Sequence, residues 1–146
     1  MQDKKLYNEV GERHKLPTHK VRNALIAFIC GGSLAIAAQY LFYIFTTFLE
    51  LDKANATSAV VIVIIIITSF LTGLGVYDKL AQYCGAGLFI PISGFANSLS
   101  SCALEGKSEG LIFGIGSNMF KLAGSVITYG IVSAYIFGLI RYFVGI

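Results

Sequence analysis

Lys121, Asn97 and Asn118 are the residues whose chemistry matches their surroundings least. All three lie within residues 80–124, a stretch as apolar as a membrane span but broken by Gly85, Gly87, Pro91, Gly94, Gly114 and Gly116. A charged side chain at membrane depth costs about 2.5–3.5 kcal/mol on insertion scales, so a partner or water must offset it. Interrupted helices are tolerated at that depth only where they are buried in protein or line a wet cavity, because hydrocarbon cannot satisfy a free N–H or C=O. Together these features point to a path or site for a polar solute.

The spacing orders the polar residues. On a helix beginning near Ser93, a good N-cap residue, Gly94, Asn97, Ser98, Ser101 and Glu105 fall within one sector of roughly 100° at about 3.6 residues per turn. In the next helix Gly114, Asn118, Lys121, Ser125 and Thr128 follow the same spacings of three and four. Two such faces suggest a shared polar interior, although glycine and serine also serve tight helix packing on their own. For Lys121 three readings stand: snorkelling to an interface, pairing with Glu105 or Glu109, or an electropositive role facing a solute. The last would be helped by the positive N-terminal end of a half-helix over 94–104.

No catalytic constellation is present. The apolar body holds no His to act as base, no G-x-S-x-G and no Walker loop, and Gly114-Ile-Gly116 lacks the strand and further glycine of a dinucleotide fingerprint. Cys30, Cys84 and Cys102 lie in apolar stretches without C-x-x-C spacing, and read as small packing residues rather than metal ligands. His14 and His19 belong to a solvated tail. No cofactor is expected. Nucleic-acid binding is excluded by the absence of zinc-finger spacing or a basic-aromatic face.

The elements that must position these residues are membrane helices. Mean hydropathy is +0.73, and several apolar runs of about 20 or more residues meet the spanning criterion. The expected fold is an all-α integral membrane protein with four to five hydrophobic helices, Gly/Pro-broken or re-entrant in the C-terminal half. A hydrophilic tail over 1–22 precedes a single transmembrane domain over 23–146. The first span covers about 24–49 and is too long for a cleavable signal; Gly31, Gly32 and Ser33 give it a small-residue notch, for helix approach or for lipid. The second covers about 54–76. Residues 80–104 either cross once as a discontinuous helix or dip in and return, turning at 91–94. Residues 111–142 would make about 48 Å of helix, so a break or strong tilt is expected near Gly114–Gly116 or Gly124.

The run Gly73-Leu-Gly-Val-Tyr-Asp78-Lys-Leu-Ala-Gln82, then Gly85-Ala-Gly87, then Pro91-Ile-Ser-Gly-Phe-Ala-Asn97-Ser98, then Glu109-Gly-Leu-Ile-Phe-Gly-Ile-Gly-Ser-Asn118-Met-Phe-Lys121-Leu-Ala-Gly124 resembles the SpoVAC/SpoVAEB family of spore membrane proteins. The resemblance covers roughly residues 20–142, and the hydrophilic tail favours the longer type of member over its shorter paralogue. It implies a component of the SpoVA complex in the spore (forespore) inner membrane. There the family moves dipicolinic acid, with calcium, inward during sporulation and outward during germination, and the longer type looks like a mechanosensitive channel.

Candidate solute-path residues are Asn97, Ser98, Ser101, Asn118, Lys121 and Ser125, with Asp78, Glu105 and Glu109 as interface or gate candidates. Expected partners are dipicolinic acid or its calcium chelate, the lipid bilayer, and other SpoVA proteins including the paralogue and a soluble subunit. The chain would act in a homo- or hetero-oligomer. The alternative is a non-conducting scaffold that recruits partners through residues 1–22.

Six of the eleven Lys and Arg precede the first span, while the loop after it holds Lys53 beside Glu50 and Asp52. The positive-inside rule therefore puts the N-terminus in the cytoplasm. With the native cysteines removed, Lys5→Cys should resist an impermeant thiol reagent in intact cells and react after permeabilisation; ready labelling in intact cells would reverse the orientation.

Overall fold

The computed structural model describes residues 19–145. Lys5, His14 and the rest of the expected tail, apart from residues 19–22, lie outside the described residues. Among those described there is no strand. Three helices are long and apolar enough to cross a membrane. They are α1 (Lys20–Thr47), α2 (Lys53–Gly73) and α6 (Ser117–Val144), the last preceded without interruption by a π-helical turn over Leu111–Gly116. The stretch expected as a further span or a dipping hairpin is built from three shorter helices, α3 (Tyr77–Cys84), α4 (Ala86–Phe89) and α5 (Ile92–Glu105).

Apolar length and local hydroxyl chemistry make the long helices. α2 has 21 residues, about 31 Å, which matches a hydrocarbon core of about 30 Å. Its β-branched run would suit a strand in water, but only a helix satisfies its own backbone in lipid. The hydroxyls are met locally: Thr57 Oγ1 donates to Lys53 O at 2.8 Å and Ser58 Oγ to Ala54 O at 3.0 Å. In α1, Ser33 Oγ donates to Ile29 O at 2.8 Å and Thr46 Oγ1 to Phe42 O at 3.0 Å.

The short helices are held by close backbone approach. Gly85, with φ of +53°, separates α3 from α4. α4 packs against α1, where a Cβ on Gly87 would stand 2.3 Å from Ala27 O and 2.9 Å from Gly31 N. The expected notch on the first span is thus used at Gly31, whereas Gly32 has open space around it. α5 lies mainly against α2. The helix begins at Ile92 rather than at Ser93, and Pro91, extended at ψ 171°, occupies the cap position. Ser93 Oγ makes no hydrogen bond, so Ser93 is not the capping residue its type suggested.

After Glu105 a 3-10 turn (Gly106–Glu109) and Gly110 at φ +91° reverse the chain. Gly114 then meets Gly106 so closely that a Cβ on it would lie 2.0 Å from Gly106 O. The break expected near Gly114–Gly116 takes the form of the widened π turn, and Gly124 lies within unbroken helix.

Burial centres on α2 and the short helices, in Ala56, Val60, Thr68, Thr72, Tyr77, Ala81, Ser93, Ala96 and Asn97. No residue of α1 or α6 is buried. Gly87→Val should therefore overpack the α1–α4 contact and destabilise the fold by about 1–3 kcal/mol. Gly32→Val should change little. Thermal unfolding followed by circular dichroism in detergent compares them, and equal midpoints would remove Gly87 from the packing argument.

Candidate functional site

Polar residues gather at two places. The first is a buried network between α2, α3 and α5. Asn97, 5% exposed, accepts at Oδ1 from Thr72 Oγ1 at 2.7 Å and donates through Nδ2 to Asp78 Oδ1 at 3.0 Å. A carboxylate only accepts, so the Asp78 side fixes which end of the amide faces it. Thr72 carries one proton, which serves either Asn97 or Thr68 O, 2.8 Å away. These bonds tie the last turn of α2, the first turn of α3 and the middle of α5 together. Beside them Tyr77 donates its hydroxyl to Leu88 O at 3.1 Å.

The second place is a cleft of about 470 Å³ between α5 and α6, lined by Cys102, Glu105, Asn118, Lys121, Leu122 and Ser125. Antiparallel packing across the 106–110 reversal sets the C-terminal turn of α5 beside the first turns of α6. Glu105 and Lys121 are thereby placed on one wall system and are both exposed. Asn118 Nδ2 lies against Gly106, where a Cβ would approach it to 2.7 Å. The Lys121 ammonium and the Asn118 amide can donate to a small solute that carries carboxylates, whereas the Glu105 carboxylate repels such a solute unless a cation lies between them.

The sector expected along α5 is therefore split. Asn97 turns toward α2 and Gly94 packs against Leu88 and Phe89 of α4, both buried, while Glu105 reaches the cleft. Ser98 donates to Gly94 O at 3.0 Å, and Ser101, half-buried, does not line the cleft. Ser125 lines it but gives its proton to Leu122 O at 2.7 Å, and Thr128 donates to Gly124 O at 2.7 Å. Glu109 packs against Gly114, with its Cβ 2.9 Å from where a Gly114 Cβ would stand. Of the helix-break residues, Gly85, Gly87, Pro91 and Gly94 shape α3–α5, and Gly114 and Gly116 lie in the π turn.

Sequence reasoning missed Thr72 as the partner of Asn97, Tyr77 as the bridge to Leu88, and Cys102 as a cleft residue. Thr68 and Thr72, four residues apart on one face of α2, were the available signal. Nothing local pairs them with a residue 25 positions away.

The model of the SpoVAC/SpoVAEB sporulation membrane protein family matches residues 23–140. Stage V sporulation protein AC of Bacillus subtilis (strain 168) is 45% identical over 122 residues, which cover 84% of this chain and 81% of that protein. No solved structure matches.

Asn97→Leu removes the donor to Asp78 and the acceptor of Thr72 at once. It should cost about 1–3 kcal/mol, as expected for orphaned part-buried polar groups. Ser98→Ala, which cuts only a local bond, should stay within about 0.5 kcal/mol. Thermal midpoints at equal detergent concentration decide it; an Asn97→Leu midpoint equal to the parent's would mean the network holds nothing together.

Proposed function

This chain belongs to the SpoVAC/SpoVAEB sporulation membrane protein family, and from that membership we propose that it is a channel component for dipicolinic acid. The solute would pass, with calcium, across the spore inner membrane during sporulation and germination, in response to membrane tension. The observation that carries this reading is the cleft at Lys121. The helix from Leu111 to Val144 has 34 residues, about 51 Å, against a core of about 30 Å. If the helix is centred, Lys121 lies about 5 Å inside the hydrocarbon edge, where an ammonium group requires a counter-charge or water. Lining the cleft with Asn118, it supplies the positive point and the donors that a pyridine dicarboxylate needs.

In this reading the N-terminus is cytoplasmic, α1 and α2 form a membrane hairpin, and α3–α5 dip in from the cytoplasmic face and return, turning at Pro91. α6 then makes the last crossing. Gly87 against Ala27, about two turns into α1, and Leu88 in one cavity with Leu34 support a dip that reaches toward the middle of α1 rather than a full crossing. The cleft is open on one side, so its missing wall would come from another chain, a second copy or the related paralogue. A soluble subunit of the complex would meet the cytoplasmic face. The path is passive, not enzymatic, and free dipicolinate, a dianion, would feel Lys121 more than its neutral calcium chelate.

A scaffold without conduction is the second reading. It is favoured by Asn97, whose amide is taken up at both ends by bonds within the chain.

Dipicolinate release from liposomes, with and without applied tension and at equal protein incorporation, separates the two. Lys121→Met should lower flux several-fold, Lys121→Arg should retain more because charge is kept, and the difference should shrink at high salt. If Met and parent match at both salt concentrations, the cleft is not an anion path. If the parent releases nothing under tension, alone or with the paralogue, the scaffold reading stands.

A further inference from the structure

A second cavity, of about 280 Å³, lies away from the cleft between α1, α2 and the tips of α3–α5. It is framed by Leu34, Ala38 and Leu41 of α1, by Ile64, Thr68 and Leu71 of α2, and by Tyr77, Leu88 and Ser93 of the short helices. All but a few of its lining atoms are carbon. A cavity of this kind stays dry and takes apolar guests.

One polar atom breaks the pattern. Ser93, 1% exposed, lines this cavity, and its Oγ has no hydrogen-bond partner. Tyr77 is its polar neighbour, near enough for the two hydroxyls to interact, but the Tyr77 proton goes to Leu88 O and the approach of Ser93 Oγ falls short of hydrogen-bond geometry. A buried hydroxyl without an acceptor costs about 1–3 kcal/mol, which an acceptor oxygen brought by a guest would remove. No cation lines the cavity, so that oxygen belongs to a neutral group such as an ester or a protonated carboxyl.

The polarity also has a direction. Thr68 is five residues from Gly73, about 7.5 Å along α2, and Thr72, Asn97 and Asp78 continue the polar line toward that helix end. Ile64 and Leu41 lie toward the other end. We propose that the cavity binds one fatty-acyl chain, with its carbonyl oxygen accepting the Ser93 proton and its tail running between α1 and α2. The chain can come from a bilayer lipid whose acyl ester reaches down from the Gly73 end, or from a free fatty acid.

Photolabelling of the full-length protein in phosphatidylglycerol nanodiscs tests this with two probes, decanoic acid bearing a diazirine and phosphatidylglycerol with the diazirine on one acyl chain. Mass spectrometry reads the label at residues 34–41 and 64–71 against the exposed residues 126–141 of α6. At least one probe should label the cavity residues about fivefold more densely than 126–141, and Ala38→Phe, which fills the space, should remove that excess. Ser93→Ala should weaken the same labelling about fivefold, the loss of one hydrogen bond. Labelling by decanoic acid alone assigns the site to free fatty acid, and labelling by phosphatidylglycerol alone to the bilayer. No excess with either probe, or an excess that survives Ala38→Phe, overturns the proposal. Should Ala38→Phe fail to assemble, an excess unchanged in Ser93→Ala overturns it equally.

Discussion

A backbone that leaves regular helix among apolar side chains must still have its N–H and C=O groups bonded, and this constraint governs the middle of the chain. The breaks are closed one by one: Val76 N to Leu71 O at 3.0 Å, Gly85 N to Ala81 O at 2.8 Å, Ile90 N to Ala86 O at 3.1 Å and Gly94 N to Pro91 O at 2.9 Å. Pro91 has no N–H to orphan, which makes it the least costly place to turn. The Tyr77 hydroxyl takes up Leu88 O, a carbonyl that the turn leaves unpaired within its helix. Short helices closed in this way persist only while α1 and α2 wall them in, so the Gly31–Gly87 contact and the Thr72–Asn97–Asp78 bonds serve one end.

The polar side chains divide according to how they are satisfied. Single hydroxyls, such as Ser33, Thr57, Ser98, Ser125 and Thr128, return their proton to a carbonyl three or four residues back and ask nothing of their surroundings. Asn97 has more capacity than its own helix can absorb, and finds it in two other helices. Lys121 can do neither. Its charge is left facing an open cleft with Glu105 and Asn118, and that makes it the residue on which the proposed conduction depends.

The family assignment and the geometry bear on different questions. Membership places the chain among sporulation membrane proteins, while the packing explains why one copy looks unfinished. α6 carries no buried residue, and Tyr129, Ile131, Tyr135, Phe137 and Phe143 are all exposed along it. Such a surface is stable against lipid tails or a neighbouring helix, and the cleft at its base, walled by α5 and α6, gains a further protein wall only from the second. The proposed channel is on that account a property of an assembly.

The all-helical class and the long apolar helices were legible in the sequence, because each rests on short-range physics. About twenty apolar residues need a helix in lipid, and Pro91 lacks the N–H that would extend one. Lys121 announced itself by its cost. The fate of Asn97 was not legible, because a regular spacing says only that residues share a face and not which neighbour that face meets. Tertiary packing turned the N-terminal half of the α5 sector into α2 and left the C-terminal half open to α6. It also made Ser93 a cavity residue instead of a cap, and gave the break expected near Gly114–Gly116 the form of a π turn that packs against Gly106. For Asn97 the deciding term was a hydrogen bond to a residue 25 positions away, a distance that local sequence does not encode.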